Sequence, residues 1–492
     1  MPPDYTVTPQ CFYAGPPDYT VTPVGATAWK PHPMTLHNIT LPPFHTPPLD
    51  PHFVPIAVWN RAYARQAKKP LAIAIERDGG GCHVHESHII SDKTQEAADR
   101  FHVERLVKLL LWAVGGYHVR ICGDDAIAGH IRHIYSPQGA RAFDAAFMAR
   151  VYEKDFTVSA LPYGGRPANI ETPVILSRDL SGCRIGFDAG GSDRKVSAVI
   201  DGEAVYSEEV IWHPKENADP AYHYNEIVSA MKTAAAKMPR VDAIGVSSAG
   251  IYVNNRTMVA SLFRKVAEAD FERVVKNIYP DAARALGCDV LTVANDGDVT
   301  ALAGAMNLNE THILGIAMGT SLAAGFVDGG GNITGRLNEL AFAPIDAHDG
   351  AAVDEWSGDL GCGASYMSQD AVARLAMAAG SAEGIALPPN ASPAEKLKHV
   401  QSLDIKITAA IFESIGCYLG HALALYRNIY DFRHVLLLGR VMSGAGGNII
   451  QAQAEAVLRD DYPEITSVTL HLPDEKSRRV GQSIAAAALP QV

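Results

Sequence analysis

The chain of 492 residues is too long for a single hydrophobic core, so its length predicts two to four globular units. The formal net charge of −12 disfavours a surface built to bind nucleic acid or anionic lipid. The seven cysteines are odd in number and form no CxxC pair, which is typical of reduced thiols and not of a disulfide framework. Neither a secretory signal nor an apolar run of spanning length is visible, and we expect a cytoplasmic protein that enters no membrane.

Residues 1–50 are rich in proline and hold a duplication, because the octapeptide PPDYTVTP occurs at 2–9 and again at 16–23. Proline removes backbone donors and disfavours helix, so the segment is predicted to be an extended arm. The arm could pack on the body or on a neighbouring subunit. A linear recognition motif and a chance duplication both remain open as explanations of the repeat.

Residues 51–180 have the pattern of an N-terminal α/β domain of unknown role. The run LAIAIER at 71–77 predicts a buried strand, a Gly-rich turn follows at 78–81, and CHVHESHII predicts a second strand. Helical spacing covers 94–114, and no motif here indicates a chemistry. The cluster of His83, His85 and His88 with Cys82 and Glu86 could bind a metal, but no second ligand pair at a suitable spacing supports that reading.

The first element that carries chemistry is RIGFDAGGSDRKVSAV at 184–199. An apolar strand ends in Asp188, a turn follows at Gly190 and Gly191, and a second strand returns. Glycine lets backbone amides approach phosphate oxygens, and an aspartate at a strand end can hold a Mg²⁺-bound water beside them. An ordinary hairpin turn explains the same residues.

The second element is LTVANDGDVTALAG at 291–304, where a β-branched strand ends in Asn295 and Asp296 and a small-residue helix begins. A carboxylate at that point can accept the proton of a substrate hydroxyl as its oxygen attacks a phosphate. The alternative is that Asp296 or Asp298 only caps the helix.

Two further glycine-rich turns follow. In ILGIAMGTSLAAGFV at 313–327 the turn Gly319-Thr320-Ser321 resembles a second phosphate hairpin, with two hydroxyl donors. In VLLLGRVMSGAGGNII at 435–450 a buried strand enters a glycine-rich loop that opens a helix, which suits a nucleoside. A Rossmann-type dinucleotide site is the rival interpretation, but such a loop normally opens a βαβ unit and this one lies near the C-terminus.

In this order the four elements resemble the phosphate-1, connecting, phosphate-2 and adenosine motifs of the sugar kinase, Hsp70 and actin superfamily. The ROK family of sugar kinases and related repressors is the most similar, through Asp-x-Gly-Gly-Thr-Lys, Asn-Asp-Ala-Asn, Gly-Thr-Gly and a late Gly-Gly-Gly. The resemblance covers the chain from Arg184 to the C-terminus. It implies an α/β, two-lobed actin-like ATPase (ribonuclease H-like) fold with an additional N-terminal α/β domain, the small lobe at 181–307 and the large lobe at 308–492.

The resemblance also implies roles for individual residues. Asp296 would be the catalytic base, and Asp188 would hold Mg²⁺ through a water. The phosphates of ATP would contact Gly190, Gly191, Ser192, Lys195, Gly319, Thr320 and Ser321. The nucleotide pocket would be lined by Gly439, Gly444 and Gly446, and the sugar would be bound by Asn254, Asn255, Asn295 and Glu339. The implied cofactors are ATP and Mg²⁺, the implied partner is a small sugar-like substrate, and a homodimer is expected.

Three departures from the family pattern are informative. Phe342 replaces the histidine of the sugar motif, Ala364 replaces a sugar-binding glutamate, and Cys362 alone remains of the cysteine-rich zinc string. We therefore expect no structural zinc and a substrate other than ordinary glucose. We further expect the N-terminal domain to pack near the substrate cleft or a dimer interface and to replace part of the recognition; mere stabilisation of the fold is the alternative.

The resemblance leaves function classes open, because the family includes repressors. A non-catalytic sugar-sensing regulator and an actin-like ATPase are therefore alternatives to a kinase. Residues 51–180 lack the basic helix-turn-helix pattern of a repressor, and the retained Asn295-Asp296 pair favours catalysis.

Overall fold

A computed structural model describes residues 34–172, 180–380, 385–465, 467–473 and 475–491, with the backbone alone for residues 475–480. Both copies of the duplicated octapeptide, and with them most of the predicted arm, lie outside these residues. Within the described part, three sheets have four or five strands and two small sheets have two strands each.

The N-terminal region contains a four-stranded sheet with the strand order β4-β3-β5-β6. Its central strand β3 pairs antiparallel with both β4 and β5, and β5 pairs parallel with β6. Residues 71–75 of β3 are fully buried, as expected for a continuous apolar run that is covered on both faces. In chain order the elements are β1 (Thr35–Leu36), β2 (Ile39–Thr40), α1 (Ile56–Ala64), β3 (Lys69–Glu76), β4 (Cys82–Ile89), α2 (Glu96–Val114), β5 (His118–Cys122), α3 (Asp125–Ile134), α4 (Ala142–Tyr152) and β6 (Thr157–Leu161).

The small lobe is a five-stranded sheet with the order β13-β10-β7-β8-β9. Its elements are β7 (Cys183–Ala189), β8 (Asp193–Ile200), β9 (Glu203–Ile211), α5 (Pro220–Ala235), β10 (Ala243–Ser248), β11 (Ile251–Val253), β12 (Arg256–Val259), α6 (Glu268–Arg273), α7 (Ile278–Ala285), β13 (Leu291–Asn295) and α8 (Asp296–Leu308). Strands β7, β10 and β13 are parallel, with Ser248 paired to Ala189 on one side and to Asn295 on the other. Their carboxyl ends therefore meet at one edge of the sheet.

The large lobe has a four-stranded sheet with the order β15-β14-β16-β17. Its elements are β14 (Ile313–Met318), β15 (Leu322–Val327), α9 (Gln369–Ala379), α10 (Pro393–Ser402), α11 (Ile405–Tyr426), β16 (His434–Leu438), α12 (Ala445–Asp461), β17 (Thr469–His471) and α13 (Glu475–Ala487). Strands β14 and β16 run parallel, with Ala317 opposite Leu438. The turn after β14 and the loop after β16 consequently lie side by side.

Helix α13 returns from the large lobe and packs on the small-lobe sheet. It does so at two glycines, Gly186 of β7 and Gly245 of β10. A Cβ atom on either residue would lie only 1.7 Å from a backbone oxygen of the helix, that of Ser483 or of Ala486. The close approach requires glycine at both positions, and it ties the two lobes together at the end of the chain.

The N-terminal region and the large lobe share one hydrophobic core. Trp112 of α2, which is fully buried, stacks on Phe342 with a ring-centroid distance of 4.2 Å. Helix α11 belongs to the same core; it is long and apolar enough to cross a membrane, but 78% of its most apolar stretch is buried inside the fold. A shared core of this kind makes the N-terminal region an integral part of the large lobe's packing.

Candidate active site

Asp296 begins helix α8 directly after the edge strand β13. The side chain of Asn295 caps the helix by accepting a hydrogen bond of 2.7 Å from the Gly297 N–H, and Asp296 Oδ1 accepts from the same N–H at 3.0 Å. Asp296 itself is partly exposed. Burial of its carboxyl and the negative charge of Asp188 raise its pKa to about 6. Asp296 is therefore a carboxylate that can take up a proton near neutral pH.

Asp188 lies at the carboxyl end of β7, and its side chain is almost fully buried. Its Oδ1 accepts a hydrogen bond of 2.6 Å from Ser247 Oγ, and its Oδ2 is 3.8 Å from the Lys195 ammonium. Burial is the main cause that raises the pKa of Asp188. Lys195 pairs more closely with Asp193, at 2.8 Å.

The turn between β7 and β8 consists of Gly190, Gly191 and Ser192, and the last two are exposed. The indole N–H of the buried Trp212 donates a hydrogen bond of 2.8 Å to the carbonyl oxygen of Gly190, which fixes the turn from below. A Cβ at position 191 would lie 2.9 Å from the ammonium nitrogen of Lys215. The turn is therefore open toward solvent and flanked by a cation.

The second predicted phosphate turn lies between β14 and β15. Thr320 and Ser321 are exposed at its tip, and the Gly319 N–H donates to the Ser321 carbonyl oxygen at 2.9 Å. The Gly319 carbonyl oxygen in turn accepts from the Gln369 N–H at the start of α9, also at 2.9 Å. The turn is thus held by the neighbouring helix while its hydroxyl groups stay free to donate.

The glycines of the loop after β16 differ in their surroundings, because Gly439 and Gly446 are closely packed and Gly444 is not. Gly439 has φ 94°, and a Cβ there would lie 2.2 Å from the carbonyl oxygen of Met318, so this glycine allows β16 to pass the end of β14. Gly439 also lines a cavity of about 630 Å³ beside α8. Gly444 is exposed with φ 72° and open space around it, whereas Gly446 is buried against the ring of Phe412.

A buried hydrogen-bonded chain supports the helix that carries Asp296. Asp298 Oδ1 accepts from the Phe326 N–H at 3.1 Å and from Asn338 Nδ2 at 2.8 Å, and Asn338 Oδ1 accepts from the Tyr430 hydroxyl at 2.9 Å. Burial raises the pKa of Asp298 to about 7, and the nearby charge of Asp296 contributes. Sequence reasoning missed Asn338 and Tyr430, because no local pattern distinguishes them.

Glu339 is presented by the N-terminal region. The last three residues of α2, Trp112, Ala113 and Val114, accept backbone hydrogen bonds from Glu339, Asn338 and Leu337 respectively, at 2.9, 3.0 and 3.2 Å. These bonds satisfy carbonyl groups that a helix end leaves without partners. Burial, with the charges of Asp296 and Asp298, raises the pKa of Glu339 to about 7.

The three predicted sugar-binding asparagines are placed differently from one another. Asn255 donates to the Leu291 carbonyl oxygen and accepts from the Val293 N–H, so its amide completes the open edge of β13. The Asn295 amide is likewise engaged, since its Nδ2 donates to the Gly250 carbonyl oxygen at 2.7 Å. Asn254 differs, because its Nδ2 donates to the carboxylate of Asp78 at 2.8 Å.

A cavity of about 310 Å³ lies where the three regions of the chain meet. Asp78 and Arg77 of the N-terminal region line it together with Asn254, Asn295 and Asp298, and Arg336 of the large lobe completes the wall. Arg77 and Arg336 both form ion pairs with Glu171, at 3.6 and 3.1 Å. The N-terminal region thus contributes side chains to a cavity that also contains predicted substrate residues.

One histidine of the predicted cluster in β4, His83, contacts an acidic side chain. His83 Nδ1 lies 3.2 Å from Glu171 Oε1, and Ser87 Oγ of the same strand is 3.0 Å from His102 Nε2. In the residues that the structure describes, no group of three His, Cys, Asp or Glu side chains is arranged to hold a metal ion.

The segment around Cys362 packs beside a buried ionic cluster. Lys108 of α2 is fully buried and lies 3.1 Å from Asp144 and 3.0 Å from Asp359, and Asp359 also pairs with Arg105 and Arg141. Burial of Cys362 raises the pKa of its thiol to about 12; the charge of Asp359 adds to this effect, and the charge of Lys108 opposes it. Residues of the N-terminal region therefore hold the loop that contains Asp359 in place.

Comparison with known proteins gives a family match over most of this region. The model of the ROK family matches residues 184–484, more than half of the chain. A search of curated proteins found no significant match.

Solved structures give the same assignment of the fold. A ROK family transcriptional regulator, a homologue of the E. coli MLC protein, has a TM-score of 0.50 at 19% identity, over 66% of this chain and 82% of its own. The ROK hexokinase from Thermus thermophilus has a TM-score of 0.49 at 19% sequence identity; the match covers 63% of this chain and 98% of the hexokinase. A ROK family glucokinase from Streptomyces griseus in complex with glucose and AMPPNP has a TM-score of 0.46 at 17% sequence identity; the match covers 63% of this chain and 99% of the glucokinase. The predicted α/β, actin-like fold with an additional N-terminal α/β region is confirmed by the family match, by the fold of the regulator and by the separate sheet of the N-terminal region.

Proposed function

The chain belongs to the ROK family, and on that premise we propose that it is an ATP-dependent kinase that phosphorylates a hydroxyl group of a sugar or sugar-like molecule. The setting of Asp296 carries the proposal. Its carboxylate stands at the edge where β7, β10 and β13 end, and its pKa is raised to about 6 by burial and by Asp188. A base with that pKa is matched to proton transfer near neutral pH.

In this proposal Asp296 accepts the proton of the acceptor hydroxyl. Its Oδ1 accepts a backbone hydrogen bond from Gly297, and among the described residues the carboxylate forms no ion pair. Its pKa of about 6 lies above that of an ordinary aspartate side chain, which makes the carboxylate a stronger base. Its position at the first turn of α8 also keeps it rigid.

The two glycine turns suit the phosphates of ATP. Gly190, Gly191 and Ser192 form one exposed turn, and Gly319, Thr320 and Ser321 form the other. Backbone N–H groups and hydroxyls at such turns are the donors that phosphate oxygens require. The loop from Gly439 to Gly446 would seat the nucleoside, with Gly446 acting through packing on Phe412.

Asp188 fits the role of a Mg²⁺ ligand through water. One oxygen is engaged by Ser247, and the other is 3.8 Å from Lys195, which leaves an oxygen ligand of the kind that Mg²⁺ prefers. Mg²⁺, when bound, neutralises charge on the transferred phosphate. Asp188 then contributes by holding the hydration shell at the end of β7.

Glu339 and Asn254 are the side chains best placed to contact the acceptor. Glu339 is partly exposed beside Asp296, and Asn254 lines the cavity that Asp78 shares. Asn255 and Asn295 would instead act by shaping the edge of β13. Because Phe342 is stacked in the core and Ala364 has no polar group, recognition would differ from that of glucose.

A sugar-sensing regulator is the second candidate, because one similar structure is a ROK transcriptional regulator. The N-terminal region does not support it. Helix α2 is buried along most of its length, and the region forms a sheet that shares a core with the large lobe. A recognition helix must instead expose a basic face to DNA.

The test is ATP consumption measured over sugars, amino sugars, sugar acids and polyols, with a control that lacks an acceptor. We expect acceptor-dependent turnover, and we expect Asp296→Asn to lower it at least about a hundredfold while ATP still binds. Near-normal turnover of the variant would show that Asp296 only begins a helix. ATP hydrolysis that needs no acceptor would favour an ATPase.

A further inference from the structure

Lys215 lies against the first phosphate turn, although no motif in the sequence marks it. A Cβ on Gly191 would be 2.9 Å from Lys215 Nζ and 3.0 Å from its Cε. The absence of a side chain at position 191 therefore lets the ammonium group reach the main chain of the turn. A cation at this point faces the place where phosphate oxygens would accept from the same turn.

The backbone that carries Lys215 is firmly held. The Trp212 N–H donates to the Ser192 carbonyl oxygen at 3.2 Å, and its indole N–H donates to Gly190 at 2.8 Å. A ring nitrogen of the buried His223 lies 2.9 Å from the Pro214 carbonyl oxygen. The hydrogen bonds of Trp212 and the contact of His223 with Pro214 hold the main chain just before Lys215. The side chain of Lys215 therefore starts from a fixed backbone position beside the turn.

The ammonium of Lys215 is also uncommitted. The side chain is partly exposed, and within the described ranges it forms neither a hydrogen bond nor an ion pair. Lys195, the other cation of the turn, is held by Asp193 at 2.8 Å. The positive charge of Lys215 lowers the pKa of Asp296, so the ammonium is within electrostatic reach of the candidate base as well as of the turn.

We propose that Lys215 binds the γ-phosphate of ATP and stabilises the charge on the phosphoryl group during its transfer to the acceptor. The proposal rests on the proposed kinase function. The acceptor oxygen forms a bond to Pγ, and its proton passes to the Asp296 carboxylate. The bond from Pγ to the β–γ bridging oxygen breaks, and its electron pair leaves with ADP. Lys215 stays protonated throughout and neutralises negative charge on the equatorial oxygens.

Lys215 places a cation at the turn, within electrostatic reach of Asp296. Lys195, the other cation at the turn, already pairs with two carboxylates, Asp193 at 2.8 Å and Asp188 at 3.8 Å. A polyphosphate entering this place needs more positive charge than Lys195 supplies. The Lys215 side chain, whose ammonium can rotate while its backbone is held in place, can supply this charge.

The experiment compares Lys215→Met, Lys215→Arg and the control Lys232→Met, which removes an exposed lysine of α5 on the same lobe. Binding of AMPPNP and of ADP is measured by calorimetry for each protein, and kcat and KM are measured with the best acceptor. We expect Lys215→Met to weaken AMPPNP binding about tenfold or more, to leave ADP binding unchanged and to lower kcat at least about a hundredfold. Lys215→Arg should retain most of the AMPPNP affinity, and Lys232→Met should match the wild type.

Binding separates this proposal from the proposed function. If the wild type phosphorylates no acceptor but Lys215→Met still loses AMPPNP affinity selectively, the γ-phosphate contact stands and the kinase function falls. If the wild type is active and Lys215→Met binds AMPPNP and turns over like the wild type, the role of Lys215 is overturned. Equal loss of AMPPNP and ADP binding would also overturn it, because ADP has no γ-phosphate and the loss of a γ-phosphate contact cannot weaken ADP binding.

Discussion

The carboxylate of Asp78 accepts a hydrogen bond of 2.8 Å from the side-chain amide of Asn254, although the two residues lie 176 positions apart. Asp78 belongs to the turn between β3 and β4, and Asn254 belongs to the hairpin of β11 and β12. Lys154 also approaches Asp78, at 3.4 Å. The N-terminal region therefore holds a predicted substrate residue directly, as the hypothesis of a domain near the cleft requires.

We predict that Asp78→Ala raises the KM for the acceptor about tenfold and changes kcat little. The substitution leaves Asn254 without its partner, and a hydrogen bond to a charged group is worth about 1.5–3 kcal/mol. Steady-state kinetics at saturating ATP measures the split. Asp125→Asn, an exposed aspartate of α3, is the control. A KM for Asp78→Ala equal to that of the control would mean that the N-terminal region only stabilises the fold.

The glycine turns and the Asn-Asp pair could be read from the sequence because their signals are local. A strand followed by Gly190 and Gly191, or by Asn295 and Asp296, is recognisable within a few residues. The sequence likewise predicts the strands and the helix at 71–114 from their apolar spacing, but it does not predict the partly exposed strand β6. Its alternation is too short and too weakly buried to stand out.

The remaining parts of the site depend on contacts between distant positions. Lys108 meets Asp359 across 251 positions, and the carbonyl groups at the end of α2 meet the segment at 337–339. Neither contact leaves a periodic trace, because each residue alone fits an ordinary helix or loop. The proximity of Lys215 to Gly191 was missed for the same reason.

We predict that Lys108→Met destabilises the protein by about 3–5 kcal/mol. The substitution removes a fully buried ammonium from Asp144 and Asp359. Asp359 keeps Arg105 and Arg141, but the buried carboxylate of Asp144 loses its counter-charge. Urea unfolding monitored by tryptophan fluorescence measures the loss. The exposed Lys93→Met serves as control, and Lys108→Met combined with Asp144→Asn should recover part of the stability. A change below about 1 kcal/mol would contradict a structural role for the cluster.

We predict that Gly439→Ala is far more damaging than Gly444→Ala. Both glycines have positive φ, 94° and 72°, with ψ near 180°, a region that is essentially restricted to glycine, so alanine costs about 1–3 kcal/mol of backbone strain at either position. At Gly439 the added Cβ also meets the Met318 carbonyl oxygen at 2.2 Å, whereas at Gly444 it meets nothing within 4 Å. Thermal unfolding and ATP affinity should both be impaired more strongly in Gly439→Ala. Equal losses of thermal stability and ATP affinity in the two variants would mean that the backbone at the end of β14 shifts at little cost to accept the Cβ.

The last prediction concerns the pH dependence of turnover. A base with a pKa of about 6 is active when deprotonated, so kcat/KM should fall as the pH decreases through about 6. Asp298 has the higher pKa, about 7, so it is mostly protonated and uncharged when Asp296 titrates near pH 6. Asp298→Asn therefore removes little charge at that pH, and it keeps the oxygen that accepts from Phe326 and Asn338. The pKa of Asp296 should then stay close to its value in the wild type.

We therefore expect the acid limb of the kcat/KM profile of Asp298→Asn to stay at the pH of the wild-type limb, because the carboxyl group that is replaced carries little charge at that pH. The control is Asp289→Asn, which changes an exposed aspartate in the loop before β13 and should also leave the limb in place. An acid limb that moves to lower pH in Asp298→Asn alone would show that Asp298 is ionised when Asp296 titrates. A limb that moves equally in both variants would show a general effect of net charge.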